Sequence, residues 1–482
     1  MTFPSAARPF GERLTGATAP PARALAHLAA CALVITGCAT TDPETATNES
    51  ASLAAKHMNR RWTPDWRSGW DDLPTWNGTS PLTSDEAVAI ALRRNRELRS
   101  AVNEIAMAQA ELAAATTPPN PVVSFTYGAP IDGGPGSMVT ASVMAQLAWL
   151  WQRPSEVAAA EARVRERILL AADAALTTMA EVRQRHLEVI AAEETLRYLE
   201  EADAALALRR DLIGELGAAG AMGGADLRNA DAEWRLIHRE RLDAVAEVHH
   251  AKVMLLESLA LTELQLDWSS DGAWPELPNV DAETLAIDAP ARRLDVAARA
   301  AALLAADHDA QRAGLERLPE IELGAMFERS MDGVETLGPS IVASVPILDR
   351  GDAAMAKARA TREAALLAFD GLLHTARADA RFEAMAWSAA DAAWREGSEP
   401  RRRLAEADLA SIRAGRAAGT ESRLMELAAT AMLAERAVQA IGDRAKATAA
   451  AIRLERAIGG FPMPTTQLNG TGAVAAGPGG AR

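Results

Sequence analysis

Two stretches of this chain run through the same unusual progression, in which a short segment alternates apolar and polar residues and then gives way to a very long alanine-rich run, free of proline in the first copy. In the first, Val139-Thr-Ala-Ser-Val-Met-Ala-Gln-Leu147 leads through Leu150-Trp-Gln-Arg-Pro154 into an Ala/Glu/Arg-rich stretch that reaches Gly217. In the second, Gly338-Pro-Ser-Ile-Val-Ala-Ser-Val-Pro-Ile-Leu-Asp-Arg-Gly351 opens a run that reaches Gly415. Each run holds about 64 residues, and at ~1.5 Å rise per residue a continuous helix of that length spans nearly 100 Å. Globular helices average only ~10–14 residues. The chain therefore reads as an internal duplication, which has to be recognised before any domain is counted. Each copy is patterned helix, strand, loop, strand, long helix, glycine turn, helix. Neither copy can bury its apolar faces alone, so the two make one structure. Aromatic residues make up only 4% of the chain, which favours close-packed alanine-rich helices over a mixed core.

Residues 1–37 read as a leader outside the fold. Arg8, Arg13 and Arg23 precede an apolar core from Ala24 to Ile35, which is too short for a spanning helix of ~20 residues. The leader ends in Ile35-Thr36-Gly37-Cys38, which resembles the lipobox of bacterial lipoproteins and makes Cys38 the acylated N-terminus. An ordinary signal peptide with a chance cysteine is the alternative. Ala39 after the cysteine, by the same resemblance, favours the outer membrane. The two cysteines, Cys31 and Cys38, both fall here, so the rest of the chain has no disulfide, thiol nucleophile or thiolate metal site. A formal charge of −15 argues against nucleic acid as a partner.

Residues 38–81 are polar and carry Trp62, Trp66, Trp70 and Trp76, the composition of an extended arm whose tryptophans are expected to pack on the protein's own helices, with lipid contact as the alternative. Thr83-Ser84-Asp85-Glu86 is a helix start. The helix it opens is expected to run to Pro118-Pro119-Asn120-Pro121, where proline ends it. Next come strands with a period of two. Val123, Phe125 and Tyr127 oppose Ser124 and Thr126, and Val139, Ala141, Val143, Ala145 and Leu147 oppose Thr140, Ser142 and Gln146. In the second copy Ile321, Leu323, Ala325 and Phe327 oppose Glu320 and Glu322, while Ile341, Ala343 and Val345 oppose Ser340 and Ser344. That pattern fits strands with one greasy and one wet face, each close to the ~9–11 residues that span a bilayer. A solvent-facing hairpin is the other reading. Because membrane barrels start at about eight strands, the membrane reading requires several copies of the chain.

Along the first long helix Val157, Val164, Ile168, Met179, Val182, Leu187, Ile190, Leu196 and Leu199 form a coiled-coil-like seam. Pro154 suits its first position, and Asp349 or Asp352 can cap the second long helix. Gly217 to Asp226, with Gly220 and Gly224, and Gly415 to Glu426, with Gly419, are the turns at which the helices reverse. The first turn follows a helix and lacks Lys-Ser/Thr, so it is no phosphate cradle.

Taken in order, these elements resemble the TolC-like outer-membrane efflux proteins. The likeness covers roughly residues 82–460 and rests on Leu82-Thr-Ser-Asp-Glu-Ala-Val-Ala-Ile-Ala-Leu-Arg-Arg-Asn95, Pro119-Asn-Pro121, Val345-Pro-Ile-Leu-Asp-Arg-Gly351, Gly419 and Ala457-Ile-Gly-Gly460. The resemblance implies a mainly α protein with a small membrane β-barrel, built from two tandem repeats and assembled as a homotrimeric tunnel of twelve strands and long helices. It also implies tips that dock onto a periplasmic adaptor bound to an inner-membrane pump, often of the RND class. Gly217, Gly220, Gly224, Gly415 and Gly419 then belong to the docking tips, and Asp226, Glu421 and Glu426 are candidates for the pore constriction.

The chain also departs from the family pattern. Met425 and Ala428 stand where aspartates often ring the closed end, and Asp226, Glu421 and Glu426 have an alternative role in the first turn of a returning helix. No catalytic motif is present, and His249 and His250 point to different helix faces, so neither an enzyme nor a metal site is expected. The only prosthetic group expected is the lipid on Cys38. The organisation expected is leader 1–37, arm 38–81, first repeat 82–264 with strand pair 121–147, linker 265–289, second repeat 290–460 with strand pair 319–346, and a disordered tail 461–482. A lipid-anchored periplasmic scaffold without a pore is the competing class.

Overall fold

The computed structural model describes residues 43–58, 76–131, 134, 136–278 and 281–460. The leader, Cys38, Trp62, Trp66, Trp70 and the tail lie outside the described residues. The expected extended arm contains a helix, α1 (Pro43–Met58). It forms because Ala46, Ala51 and Ala54 recur on one face, and small residues let it lie close to the helices Arg96–Thr116 and Ala148–Ala218. Trp76 meets Trp268 edge-on with centroids 5.1 Å apart.

The single helix expected before the first strand is two, α2 (Ser84–Arg94) and α3 (Arg96–Thr116). Thr83 and Glu86 close a capping box at the start of α2. Asn95 breaks the run, because it takes an extended ψ of 121° and its side chain accepts the Leu98 N–H at 3.0 Å. The second repeat bends at the equivalent place. Its α6 (Ala282–Arg292) and α7 (Leu294–Leu315) are separated by Arg293 at ψ 130°. Helix α6 starts inside the stretch expected to be linker, since Asp281 caps it through the amides of Glu283 and Thr284. Pro290 lies in its last turn, where it withholds an N–H from the Ala286 carbonyl close to the helix end.

Four strands follow the helices, β1 (Val122–Gly128), β2 (Met138–Gln146), β3 (Glu320–Arg329) and β4 (Glu335–Ser344). They form one antiparallel sheet in the order β1-β2-β3-β4, so the two repeats meet through β2 and β3. From β2 the chain enters α4 (Ala148–Ala218), a helix of 71 residues, and returns in α5 (Gly224–Ser258). Helix α4 begins before Pro154, so that proline sits inside the helix rather than at its start. From β4 the chain enters α8 (Asp352–Ala392), passes a π-helical turn at Ala393–Ser398, continues in α9 (Glu399–Ala417) and returns in α10 (Arg423–Ala457). Neither Asp349 nor Asp352 caps α8. Its N-cap is Gly351 in the left-handed region, Asp349 accepts the Gly351 N–H at 2.9 Å, and Asp352 pairs with Arg317.

Helix α4 is central, packed by α3, α5, α7 and α10. Ile168, Met179, Val182, Leu187, Ile190 and Leu199 of its expected seam are buried, while Val157, Val164 and Leu196 are half-buried. Much of the rest of its buried surface is alanine, which brings helix backbones close. The ends of the fold are tied near Gly459 and Gly460. His57 Nδ1 lies 2.7 Å from the Gly459 carbonyl oxygen, and a Cβ on Gly460 would come within 2.0 Å of the His57 carbonyl.

Candidate functional site

The sheet carries the first half of the site. Strand register puts side chains into rows that cross all four strands. One row is Val123, Val143, Ala325 and Pro339, and a second is Phe125, Ala141, Phe327 and Leu337. Ala145, Leu323 and Ile341 extend the same face. The interleaved rows point the other way. Ser124 and Ser142 stand opposite each other with their hydroxyls 2.8 Å apart, and Thr126, Thr140, Glu328 and Thr336 form one row. Among the described residues no element covers the apolar face: Val123 is 71% exposed, Phe125 70% and Ile341 68%. A contiguous apolar surface of this kind is costly in water and marks a face made for lipid or protein.

The helical tips carry the second half, and the two repeats close their outgoing long helices in the same way. At the end of α4, Gly220 has φ +78°, with Ala221 N–H donating to the Leu216 carbonyl at 2.8 Å. At the end of α9, Gly419 has φ +78°, with Thr420 N–H donating to the Gly415 carbonyl at 2.9 Å. Both are Schellman closures with glycine in the left-handed position, which L side chains adopt only under strain. Gly217 sits in the last turn of α4, and its carbonyl accepts from Gly220; Gly224 is the first residue of α5. Gly415 is needed for close approach, because a Cβ there would lie 2.6 Å from Glu421 Cγ.

The three candidate acids have different surroundings. The Asp226 carboxylate accepts the Gly223 N–H at 3.0 Å, the capping geometry of a third helical position. Glu426 is bound by two guanidiniums, Arg416 and Arg413, the latter at 3.3 Å. The hydrogen bond from Arg416, with the charges of both arginines, holds its carboxyl below the usual range despite some desolvation. The start of α10 is capped instead by Ser422, which accepts from Met425 N–H at 3.2 Å. Glu421 is exposed and has no ion pair among the described residues. Sequence reasoning missed the arginine pair on Glu426. Arg413 and Arg416, three residues apart on α9 just before a tight turn, were the available signal.

Midway along the helices a cluster pins the inter-repeat segment. Lys252 Nζ lies 3.0 Å from Glu193, whose other oxygen accepts from Ser270 Oγ at 2.6 Å. Trp274 donates to Glu194 at 2.8 Å, and the Arg444 guanidinium stacks 4.4 Å from the Trp274 ring and 5.4 Å from that of Trp394 in the π-helical turn. Among the described residues no helix is long and apolar enough to cross a membrane.

Comparison with solved structures matches this arrangement. A membrane protein from Pseudomonas aeruginosa superposes with a TM-score of 0.62 at 21% identity, over 80% of this chain and 100% of that one. The chain has the fold of the TolC-like outer-membrane channels. The Campylobacter jejuni CmeC outer membrane channel matches with a TM-score of 0.62 at 16% identity, over 78% of this chain and 85% of that chain. The outer membrane protein VceC from Vibrio cholerae gives 0.59 at 18%, over 78% and 96%. No family model and no curated protein matches the sequence. The TolC-like fold accounts for the mainly helical body with its small antiparallel sheet.

Proposed function

We propose that this chain is the outer-membrane channel of a tripartite efflux system, a passive duct that exports small molecules or ions delivered by an inner-membrane pump of the RND class through a periplasmic adaptor. The observation that carries the proposal is the sheet, with an uncovered apolar face, a polar face and two open edges, β1 and β4. Open edges do not occur in lipid, so a membrane sheet of this size must close with other copies. Three chains give a twelve-stranded barrel. The helices support the same assembly, since α8 and α9 form an edge of the protomer and leave Leu367, Phe382 (68% exposed), Met385 (74% exposed) and Leu404 uncovered.

In this reading the tips around Gly217, Gly220, Gly224, Gly415 and Gly419 dock the adaptor and constrict the tunnel. Among Asp226, Glu421 and Glu426, the charge of Glu426 is offset by two arginines. Glu421 is therefore the acid of the second tip whose charge is left to the pore. Acylation of Cys38 places the protein in the outer membrane of a Gram-negative cell with its helices in the periplasm. A poreless lipid-anchored scaffold would have no use for a sheet that is greasy on one face and wet on the other. Planar-bilayer recording decides between the two. Purified protein is expected to run as a heat-sensitive trimer in detergent and to give discrete conductance steps. A water-soluble monomer without conductance would refute the channel.

A further inference from the structure

The two faces of the sheet differ in charge as well as in polarity. Glu320, Glu322 and Glu328 share one parity on β3 and so point to the same side as Ser124, Thr140, Ser142 and Ser340. Register confirms the placement, because Glu328 pairs with Thr140 and Thr336, Glu322 with Gln146, and Glu320 with Ser344. No lysine or arginine lies on that side in any of the four strands. The one base of the sheet, Arg329, is on the apolar side at the strand end, across from Glu335. Glu322 and Glu328 are six residues apart, about 20 Å along an extended strand. That exceeds the ~8 Å over which physiological salt screens charge, so the carboxylates act as two separate belts. The lower belt continues into the helical part. Glu320 and Glu322 line a cavity of about 320 Å³ together with Gln146, Gln152 and Glu156 at the start of α4. The neighbouring base, Arg153, is stacked on the Trp149 ring at 5.0 Å.

We infer that the wall formed by Glu320, Glu322 and Glu328 makes the membrane segment prefer cations and disfavour anions, so that the exported solutes are cationic or uncharged. The inference rests on the channel reading above, because only there does the polar face become a lumen. Carboxylates facing hydrocarbon would be expensive, so a barrel built from this sheet has to turn them inward. Three copies then give belts of negative charge with no compensating base, and low-dielectric walls focus the field of such belts along the axis. The lower belt guards the join of tunnel and barrel. The upper one lies beside the Ser330–Val334 turn at the mouth.

The test is the reversal potential of the full-length protein in planar bilayers under a potassium chloride gradient. Wild type is expected to give a potential of cation-selective sign. Replacing all three acids (E320Q, E322Q, E328Q) should move it most of the way to zero, and further than E421Q at the tip. E328C supplies a second readout on a folded channel. A sulfonate-bearing thiol reagent should restore the wild-type potential and a trimethylammonium-bearing one should displace it towards anion selectivity, with neither reagent moving wild type. Conductance whose reversal potential ignores the charge at 320, 322 and 328 overturns this inference and leaves the channel standing. Absence of conductance in wild type overturns both.

Discussion

Arginine placed at Val143 or at the adjacent Ser142 separates a lipid-facing sheet from a solvent-facing one with a single pair of variants. Strand β2 has nine residues, Met138–Gln146, so its midpoint is Ser142, and Val143 lies one residue, ~3.3 Å, away. In the proposed barrel both positions lie close to the centre of an apolar band ~25 Å tall. They differ in face. Val143 sits in the row Val123, Val143, Ala325 and Pro339, whereas the Ser142 hydroxyl lies 2.8 Å from that of Ser124. An arginine on the lipid face near the midplane costs about 2–4 kcal/mol. Three well-separated copies in a trimer add roughly independently, giving about 6–12 kcal/mol for the assembly. Ser142→Arg loses one hydroxyl pair, worth about 1 kcal/mol, and keeps its charge in water. The assay is refolding from urea into phospholipid vesicles, with the folded fraction read from heat-sensitive gel mobility. Val143→Arg should refold with a much lower yield and Ser142→Arg close to wild type. Equal yields from the two variants would refute the assignment of faces, whatever the absolute level.

Gly324 and Gly338 lie on the polar face of adjacent strands, yet a Cβ at Gly324 would fall 1.9 Å from the Val143 carbonyl oxygen while one at Gly338 meets nothing within 4 Å. Gly324→Ala should therefore destabilise by about 1–3 kcal/mol and Gly338→Ala should be neutral or stabilising, as read from midpoints of denaturant unfolding. Glu399 is held at a pKa of about 2 by a hydrogen bond from Arg402, reinforced by Arg403, with some opposition from desolvation. A depressed carboxylate stabilises the fold above its unfolded value near 4.5, and that contribution disappears as pH falls from there towards about 2. Glu399→Gln should flatten the pH dependence of thermal unfolding in that window and leave the value at pH 3 less changed than that at pH 6. Cys38→Ser should abolish labelling by radioactive palmitate while the protein still assembles, whereas unchanged labelling would remove the lipid anchor from the proposal.

The parts of the fold legible in the sequence are those set by local periodicity. Alternation in residues 122–128 and 320–329 fixed which side chains share a face, since a period of two leaves no freedom once a strand forms. Glycines at 220 and 419 marked the reversals for the same reason, because the left-handed position needs glycine. What was not legible depends on contacts distant in sequence. Asn95 interrupts a run of good helix formers, and the break is decided by a side-chain cap competing with one backbone bond. Helix α1 stands on alanines whose burial requires α3 and α4 to be in place. The start of α6 was hidden by the prolines around it, although Asp281 before Ala282-Glu283 was a cap signal that could have been read. At the candidate constriction the acids were visible, but their state was not. Glu426 is neutralised by residues 10 and 13 positions away across a turn.

Pattern alone also gives no reason for the two long helices to differ, and they do. Helix α4 buries residues along nearly its whole length, from Ala159 to Ile213, whereas α8 buries only Ala376, Ala380, Ala384 and Trp387, and α9 only Leu409. Both come from the same duplicated unit, so the difference lies in position, with α4 inside the protomer and α8 and α9 along its edge. An edge helix that stayed in water would be under no pressure to keep Leu367, Phe382, Met385 and Leu404, each more than half exposed. Burying one such side chain gains about 1.5–3 kcal/mol, so repeating the contact around a closed ring offers a large return for residues that stabilise nothing within one chain. The open sheet edges at β1 and β4 make the same demand in backbone hydrogen bonds. The lateral association proposed above would satisfy both at once, because it would pair the sheet edges and cover the edge helix.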